Sequence, residues 1–166
     1  MGINNAILDL KSKLQGAIGF CRIWNNQLRQ MEDGKIESYP LPATFIEVVP
    51  AQEHTQLGAG YTESDVTFRI HIVQSEYDAG DGTMEENKTI FGLRDTVVAL
   101  LTYYEPPGCS GLMKVAESQD YEHTNVYHYI LDFKASFIDT TGAIVPIETT
   151  ISVLEVNPTI KTVATF

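Results

Sequence analysis

The chain has 166 residues, of which 43% are hydrophobic, and its 22 acidic and 11 basic side chains give a formal net charge of −11 at pH 7. This length suits one domain with at most a small appendage, and the apolar content is sufficient for a buried core, so disorder as the global state is excluded. The excess of acidic groups opposes binding to nucleic-acid phosphates or to an anionic membrane surface, because both require basic side chains.

The first predicted element is an amphipathic helix at the start of the chain. Apolar residues recur there at spacings of three and four, which places them on one helical stripe: Ile3, Ile7, Leu10, Leu14, Ala17 and Ile18. Asn4 or Asn5 is placed to cap this helix. Alternation over residues 18–24 then predicts a strand, and the polar residues 25–39 predict a long loop.

Two further strands are predicted in the middle of the chain. Residues 43–49 are rich in β-branched and aromatic side chains and end at Pro50, which favours a strand. After a polar, glycine-containing connection, residues 66–73 alternate between apolar and more polar side chains. This alternation is typical of a sheet with one buried and one wetter face.

The second helix has the clearest pattern in the sequence, and strands follow it. Its apolar stripe consists of Ile90, Leu93, Val97, Leu100, Leu101 and Tyr104. We expect the prolines at positions 106 and 107 to end it. Residues 112–115 predict a short strand and residues 126–138 the longest one, with the odd-numbered positions from Tyr127 to Phe137 facing the core. The even-numbered positions, His128 among them, face water or an interface.

This order of elements predicts an α+β fold, a mostly antiparallel β-sheet with two α-helices packed on one face and an extended C-terminal tail rich in β-forming residues. Residues 1–142 form the single α+β domain, and residues 143–166 form a C-terminal strand and an extended arm. The arm is apolar enough to aggregate if left free in water, so we expect it to pair between subunits. Its candidate contact residues are Ile151, Val153, Val156, Ile160, Val163 and Phe166.

Charge is distributed unevenly along the chain. Five basic and three acidic groups give residues 1–35 a formal charge of +2, whereas six basic and nineteen acidic groups give residues 36–166 a charge of −13. One acidic loop is predicted between the second group of strands and the second helix, and it is a candidate lumen or docking loop. Its acidic residues are Glu76, Asp78, Asp81, Glu85 and Glu86. The spacing of its glycines does not fit a calcium-binding loop.

A metal site is the one chemical grouping that the spacing suggests. Glu117, Asp120 and His123 are three residues apart, and His128 follows five later. If the segment around Val126 is extended, His123 and His128 point to opposite sides because their separation is odd. A solvated loop without a metal is therefore the interpretation that the sequence favours.

No other motif predicts catalysis or a cofactor. Cys21 and Cys109 have neither disulfide-framework nor zinc-ribbon spacing, which is typical of a reducing compartment, and Cys109 has no neighbouring base to activate it. Residues 58–60 do not form a phosphate-binding glycine motif. The sequence also contains no secretion signal and no apolar run of membrane-spanning length.

Several segments together resemble the tail-completion or tail-terminator proteins of tailed phages and prophages. The resemblance covers roughly residues 3–138 and lies in the order of elements and in these segments: Tyr39–Glu47, Phe68–Ile72, Phe91–Tyr103, Asp120–Tyr129 and the strand that ends in Phe133.

This resemblance implies a structural virion assembly protein and no enzyme, cofactor or metal. Members of the family form a ring, usually a hexamer, that terminates the tail tube and docks the head or neck. The implied partners are other copies of the chain, the tail tube and the head or neck proteins, with DNA only as cargo passing through the lumen and no membrane. The implied location is the virion, and the host cytoplasm during assembly.

Other classes remain open from the sequence. A head-tail connector or a tube-like virion protein would have a similar fold. A monomeric acidic adaptor would bind a basic partner in a salt-sensitive way. A small metal-assisted enzyme would use Glu117, Asp120 and His123.

Overall fold

Six strands and three helices make up the described parts of the chain in the computed structural model, which covers residues 2–36, 38–51, 53–75, 88–123 and 126–143. In chain order they are α1 (Ile3–Ile18), β1 (Cys21–Ile23), α2 (Gln27–Glu32), β2 (Ala43–Val49), β3 (Thr55–Gly58), β4 (Tyr61–Ser75), α3 (Lys88–Leu101), β5 (Met113–Asp120) and β6 (Val126–Asp139).

The strands form one sheet in the order β1-β2-β4-β6-β5, and β3 joins β4 as a hairpin. β1 and β2 are parallel, whereas the other pairs are antiparallel. The long β4 and β6 strands are paired from Thr62 opposite Asp139 to Ser75 opposite Val126. The predicted α+β class with a mostly antiparallel sheet is confirmed.

The main core lies between one face of the sheet and the helices α1 and α3. The two predicted apolar stripes supply it, with Leu10 and Leu14 from α1 and Val97 and Leu101 from α3 fully buried. The prediction that two helices cover one face is therefore confirmed. The predicted capping asparagines are wrong, because Gly2 is the N-cap residue of α1 and no side chain caps it. Among the helices of the described ranges, none has the length and apolarity needed to cross a membrane.

A second, smaller core covers one end of the opposite face. Leu28 from α2 packs there, and the sheet contributes Ala43, Phe45, Val73 and Val126. The sequence predicted a loop in place of α2, because Leu28 and Met31 are its only apolar residues and two such residues are too few to form a recognisable helical stripe. A six-residue helix is unstable alone, so its contact with the sheet stabilises it.

This second core changes the environment of the first part of β6. His128, predicted on the wetter face, is only 2% exposed, so that prediction is wrong at this position. The prediction holds further along the strand, where Asp132, Lys134 and Ser136 are half-buried. The difference arises because α2 and its flanking segments cover only one end of this face.

The β3–β4 hairpin was also missed from the sequence, where it was predicted as a connection. All of β3 is exposed, so it carries no pattern of buried and exposed positions. Its turn is built from Ala59 and Gly60, whose φ angles of 48° and 81° are both positive, as a two-residue hairpin of the I′ type requires. A side chain at Gly60 would collide with the carbonyl of Gly142.

Candidate functional site

Two histidines lie side by side on the face of the sheet opposite α1 and α3. His71 belongs to β4 and His128 to β6, and they are diagonal neighbours because Val73 lies directly opposite His128. The Nδ1 atom of His71 is 2.9 Å from Nε2 of His128. Trp24 stacks on the His71 ring with a centroid distance of 3.9 Å and an interplanar angle of 8°. The indole and the second core together shield both rings from water.

A carboxylate lies at each end of this histidine pair. Oε2 of Glu47, on β2, is 3.3 Å from Nε2 of His71. Oδ2 of Asp120, at the end of β5, is 3.0 Å from Nδ1 of His128, since the β5–β6 register places these two residues opposite each other. The four side chains form a continuous chain of polar contacts across β2, β4, β6 and β5.

Burial keeps the two rings of this chain neutral. Burial, together with the neighbouring His128 and Arg69, lowers the pKa of His71 to about 3. Burial also lowers the pKa of His128, although its contact with Asp120 acts in the opposite direction. For Asp120, burial alone would raise the pKa, but the backbone N–H of Glu122 and the His128 ring hold that pKa below its ordinary value. At neutral pH the Asp120 carboxylate is therefore ionised and both rings are uncharged.

A third histidine completes the cluster from outside the strands. His123 donates from Nδ1 to Oε1 of Glu32, on α2, at 2.8 Å, and its Nε2 is 3.6 Å from Oδ2 of Asp120. The prediction that His123 and His128 point to opposite sides is wrong, because His123 precedes β6 and does not follow the alternation of a strand. Asp120, His123 and His128 thus bring one potential ligand atom each to within 4.8 Å of one another.

Glu117 does not join this group, although the sequence placed it beside Asp120 and His123. Its carboxylate accepts hydrogen bonds from Arg94 at 2.7 Å and from Lys114 at 3.0 Å. Glu117 lies opposite Leu131, a residue of the main core, and so occupies the helix side of β5. The sequence missed Glu32 as a member of the cluster. It noted His128 beside Asp120 and His123, but only the β5–β6 register shows that His128 and Asp120 lie opposite each other.

A polar cavity of about 310 Å³ borders the cluster. It is lined by Trp24, Asn26, Arg29, Asp120, Glu122 and His123. Two of the three residues that bring ligand atoms together also line this cavity, so a small molecule or ion can reach them.

Arg69, on the same face of the sheet, orients the Glu47 carboxylate that contacts His71. Arg69 binds both carboxylate oxygens of Asp132, with Nε at 2.8 Å and Nη2 at 3.1 Å, and its Nη1 is 3.4 Å from Oε2 of Glu47. Paired donation of this kind fixes direction as well as distance. Arg69 and His71 contact the same Glu47 oxygen. The ionic clamp, which is Arg69 held by Asp132, therefore orients the Glu47 carboxylate toward His71.

A second candidate surface is the outer edge of β5. The sheet order places β6 on one side of β5 and, within the described ranges, no strand on the other. Met113 is 54% exposed and Val115 is 55% exposed along this strand. The edge therefore offers both main-chain hydrogen-bonding groups and apolar side chains to a partner.

The two other predicted functional segments lie outside the described residues. They are the acidic loop, with Glu76, Asp78, Asp81, Glu85 and Glu86, and the C-terminal arm, with Ile151, Val153, Val156, Ile160, Val163 and Phe166. Both remain predictions from the sequence.

Comparison with known proteins finds similarity at the level of structure. Searches of protein families and of curated protein sequences return no match. Among solved structures, the chain is similar to a chain in a structure described as the virion of a native gene transfer agent particle, with 14% sequence identity and a TM-score of 0.44. The alignment covers 78% of this chain and 84% of that one.

Proposed function

We propose that the chain is a structural assembly protein of a phage or prophage virion, which closes into a ring of about six copies. The ring terminates the tail tube and docks the head or neck. The observation that carries this proposal is the exposed outer edge of β5. The sequence resemblance to tail-terminator proteins supports the class of assembly, and the edge supports a contact through which copies join.

A free strand edge of this kind favours association. Natural proteins protect exposed edges with charge, proline or very short strands, because an unprotected edge pairs with another chain. β5 carries the charged residues Lys114, Glu117 and Asp120, but it also presents Met113 and Val115, both more than half exposed. The strand at the opposite edge of the sheet, β1, has only three residues, so the two edges are not equivalent. Contacts between unlike surfaces build rings when the rotation closes.

The C-terminal arm, residues 143–166, is the segment that we place on this edge, donated by a neighbouring copy. The arm is rich in valine, isoleucine and threonine and poor in charge, which suits strand addition. β6 ends at Asp139, close to the start of β5, since Lys134 lies opposite Met113. Each arm therefore leaves its own subunit from the same end of the sheet at which the receiving strand begins.

The acidity of residues 36–166 supports the passage of DNA through such a ring. A formal charge of −13 repels phosphates, so DNA would cross the lumen without binding to its wall. We assign the acidic loop, residues 76–86, to the lumen or to the face that docks the head or neck. The first segment, with its charge of +2, presents a different electrostatic surface.

The test is the molar mass in solution, measured by light scattering over a concentration series with negative-stain images of the same fractions. We expect a closed ring with a central hole. A monomer at every concentration would contradict the proposal and favour the acidic adaptor. An open stack or filament would instead favour a tube-like protein.

Three variants locate the contact. Val115→Lys places a charge on the β5 edge, and a chain ending at Asn157 lacks the last part of the arm; both should lower the molar mass. Leu8→Lys is the matched control, because Leu8 on α1 is 53% exposed and lies away from the edge; it should assemble like the wild type. If the shortened chain assembled unchanged, the arm would not be the inter-subunit strand. If Val115→Lys did so, β5 would not be the receiving edge.

A further inference from the structure

The polar contacts between Glu47 and Asp120 hold the His128 ring with its Nδ1 atom facing the Asp120 carboxylate. The contacts are Glu47 with His71, His71 with His128, and His128 with Asp120. Nδ1 of His128 and Oδ2 of Asp120 are therefore two potential ligand atoms, 3.0 Å apart.

His123 brings a third potential ligand atom to the same place. Glu32 accepts a hydrogen bond from Nδ1 of His123, so Nε2 is the ring atom that faces Oδ2 of Asp120, 3.6 Å away. Asp120, His123 and His128 each bring one potential ligand atom to within 4.8 Å of the others.

We propose that Asp120, His123 and His128 bind one Zn²⁺ ion per chain, through Oδ2, Nε2 and Nδ1 respectively, and that the neighbouring cavity provides access to a fourth ligand. Two atoms bound to Zn²⁺ at tetrahedral angles are about 3.3 Å apart. Oδ2 of Asp120 is 3.0 Å from Nδ1 of His128 and 3.6 Å from Nε2 of His123, so the separations lie on either side of that value. Two imidazoles and one carboxylate are a donor set typical of Zn²⁺.

Zn²⁺ at this position is compatible with the hydrogen bonds of the histidine pair. With the metal on Nδ1 of His128, the ring proton moves to Nε2 and is donated to Nδ1 of His71. His71 then carries its own proton on Nε2 and donates it to Glu47. Every contact has one donor and one acceptor, and no additional proton is needed.

The atoms that do not face the metal are already held in place. Oδ1 of Asp120 accepts the backbone N–H of Glu122 at 2.9 Å, His123 is bound to Glu32, and His128 is bound to His71. Such outer contacts fix the orientation of metal ligands and raise their affinity. The cavity lined by Asp120 and His123 leaves one direction open, where water or a polar group of a partner can complete the coordination.

The test is a calorimetric titration of the full chain with Zn²⁺ after removal of metals by a chelator. The wild type should bind one ion per chain at a saturable site. His123→Gln should weaken binding by more than about 10-fold, because it removes a ligand that is partly exposed and not part of either core. Glu32→Gln keeps all three ligands but removes the carboxylate charge that makes the His123 ring a more basic ligand, and it should weaken binding by about 10-fold.

His54→Gln is the matched control. His54 is an exposed histidine outside the cluster, so its replacement should leave the Zn²⁺ affinity unchanged. Saturating Zn²⁺ should also raise the unfolding temperature of the wild type and of His54→Gln, but not that of His123→Gln, with circular dichroism verifying the fold of each variant. If His123→Gln does not fold, Glu32→Gln decides the test.

Three results would overturn the site: no saturable binding by the wild type, wild-type affinity in a folded His123→Gln protein, or an equal loss in His54→Gln. The inference does not depend on the proposed assembly role. A monomer that binds Zn²⁺ through these residues would contradict only the ring, and a ring without Zn²⁺ binding would contradict only the metal site.

Discussion

Cys109 shows how its surroundings set the reactivity of a single residue. The side chain packs against the main core, and burial raises the pKa of its thiol to about 11. Only about a thousandth of a thiol with this pKa is ionised at pH 8, and only the thiolate is a nucleophile. Cys109 is therefore a weak nucleophile near neutral pH.

The first residue-scale prediction concerns the rate of Cys109 alkylation. Below its pKa the thiolate fraction rises tenfold per pH unit, so the rate of reaction with iodoacetamide should keep rising from about pH 7 to about pH 10 without a plateau. At pH 8 it should be about 100-fold slower than in the urea-denatured chain, where a cysteine has its ordinary pKa of about 8.5. Mass spectrometry of proteolytic fragments separates Cys109 from the buried Cys21.

Two controls accompany this measurement. Cys109→Ser should leave almost no labelling of the native protein, because Cys21 is fully buried and burial raises its pKa as well. A plateau near pH 9 in the native protein would show that Cys109 has an ordinary pKa, and would contradict the prediction.

The histidine cluster shows where residue spacing stops being informative. Asp120, His123 and His128 follow one another at separations of three and five, but they do not lie in one strand, because β5 ends at Asp120 and β6 begins at Val126. His123 lies before β6, so its side chain direction is set by Glu32 on a separate helix. No local pattern predicts that contact, because Glu32 and His123 are far apart in the chain.

At the scale of elements, the stability of α2 depends on the packing of one side chain. The helix has six residues, and helices this short are unstable in isolation. Leu28 is its single fully buried residue, packed in the second core. Both the cover over the histidines and the position of Glu32 therefore depend on the packing of Leu28.

We predict that Leu28→Ala lowers the free energy of unfolding by about 2 to 4 kcal/mol, through lost burial and the cavity left behind. Urea denaturation followed by circular dichroism measures this change. The control Leu8→Ala removes an exposed leucine from α1 and should cost less than about 0.5 kcal/mol. A change of similarly small size in Leu28→Ala would show that the second core does not stabilise the fold.

The elements with strong periodicity were predicted well, and those without it were missed. α1 and α3 each bury one repeating stripe of side chains, and β6 places its odd-numbered side chains in the main core. β2 is a run of β-branched and aromatic residues buried in both cores, so these four patterns are visible in the sequence. β3 is fully exposed and α2 buries one residue; tertiary pairing alone stabilises them. The length of β4 was underestimated for the same reason, because its first part pairs with the exposed β3.

At the scale of the whole molecule, the two faces of the sheet differ in the side chains they carry and in the elements that cover them. One is covered by α1 and α3 and supplies most of the buried apolar surface. The other holds the ionic clamp of Arg69, the histidine cluster and the second core. If copies join along the β5 edge as proposed, neighbouring subunits continue both faces, and the polar face forms a continuous surface within the ring.

The last prediction concerns the acidic loop in that proposed ring. Replacing Asp78 and Asp81 by asparagine and Glu85 and Glu86 by glutamine removes four negative charges without changing side-chain size. If the loop lines the lumen or meets the head or neck, this variant should still form rings but should complete tails poorly. We expect a fall of about tenfold or more in infectious particles, because contacts between complementary charges guide the docking of partners. Complementation of a virus lacking the gene measures this yield.

A control with Glu53→Gln and Glu105→Gln separates local from general effects of charge. Both residues are exposed and lie outside the loop, so their neutralisation should leave the yield of infectious particles unchanged. Salt screens electrostatic contacts between partners, so rising ionic strength should weaken head joining by the wild type. The difference in head joining between the wild type and the loop variant should therefore become smaller. Unchanged tail completion and infectivity in the loop variant would show that the loop lies neither in the lumen nor on the docking face. The negative charge of residues 36–166 would then have its role elsewhere on the molecule.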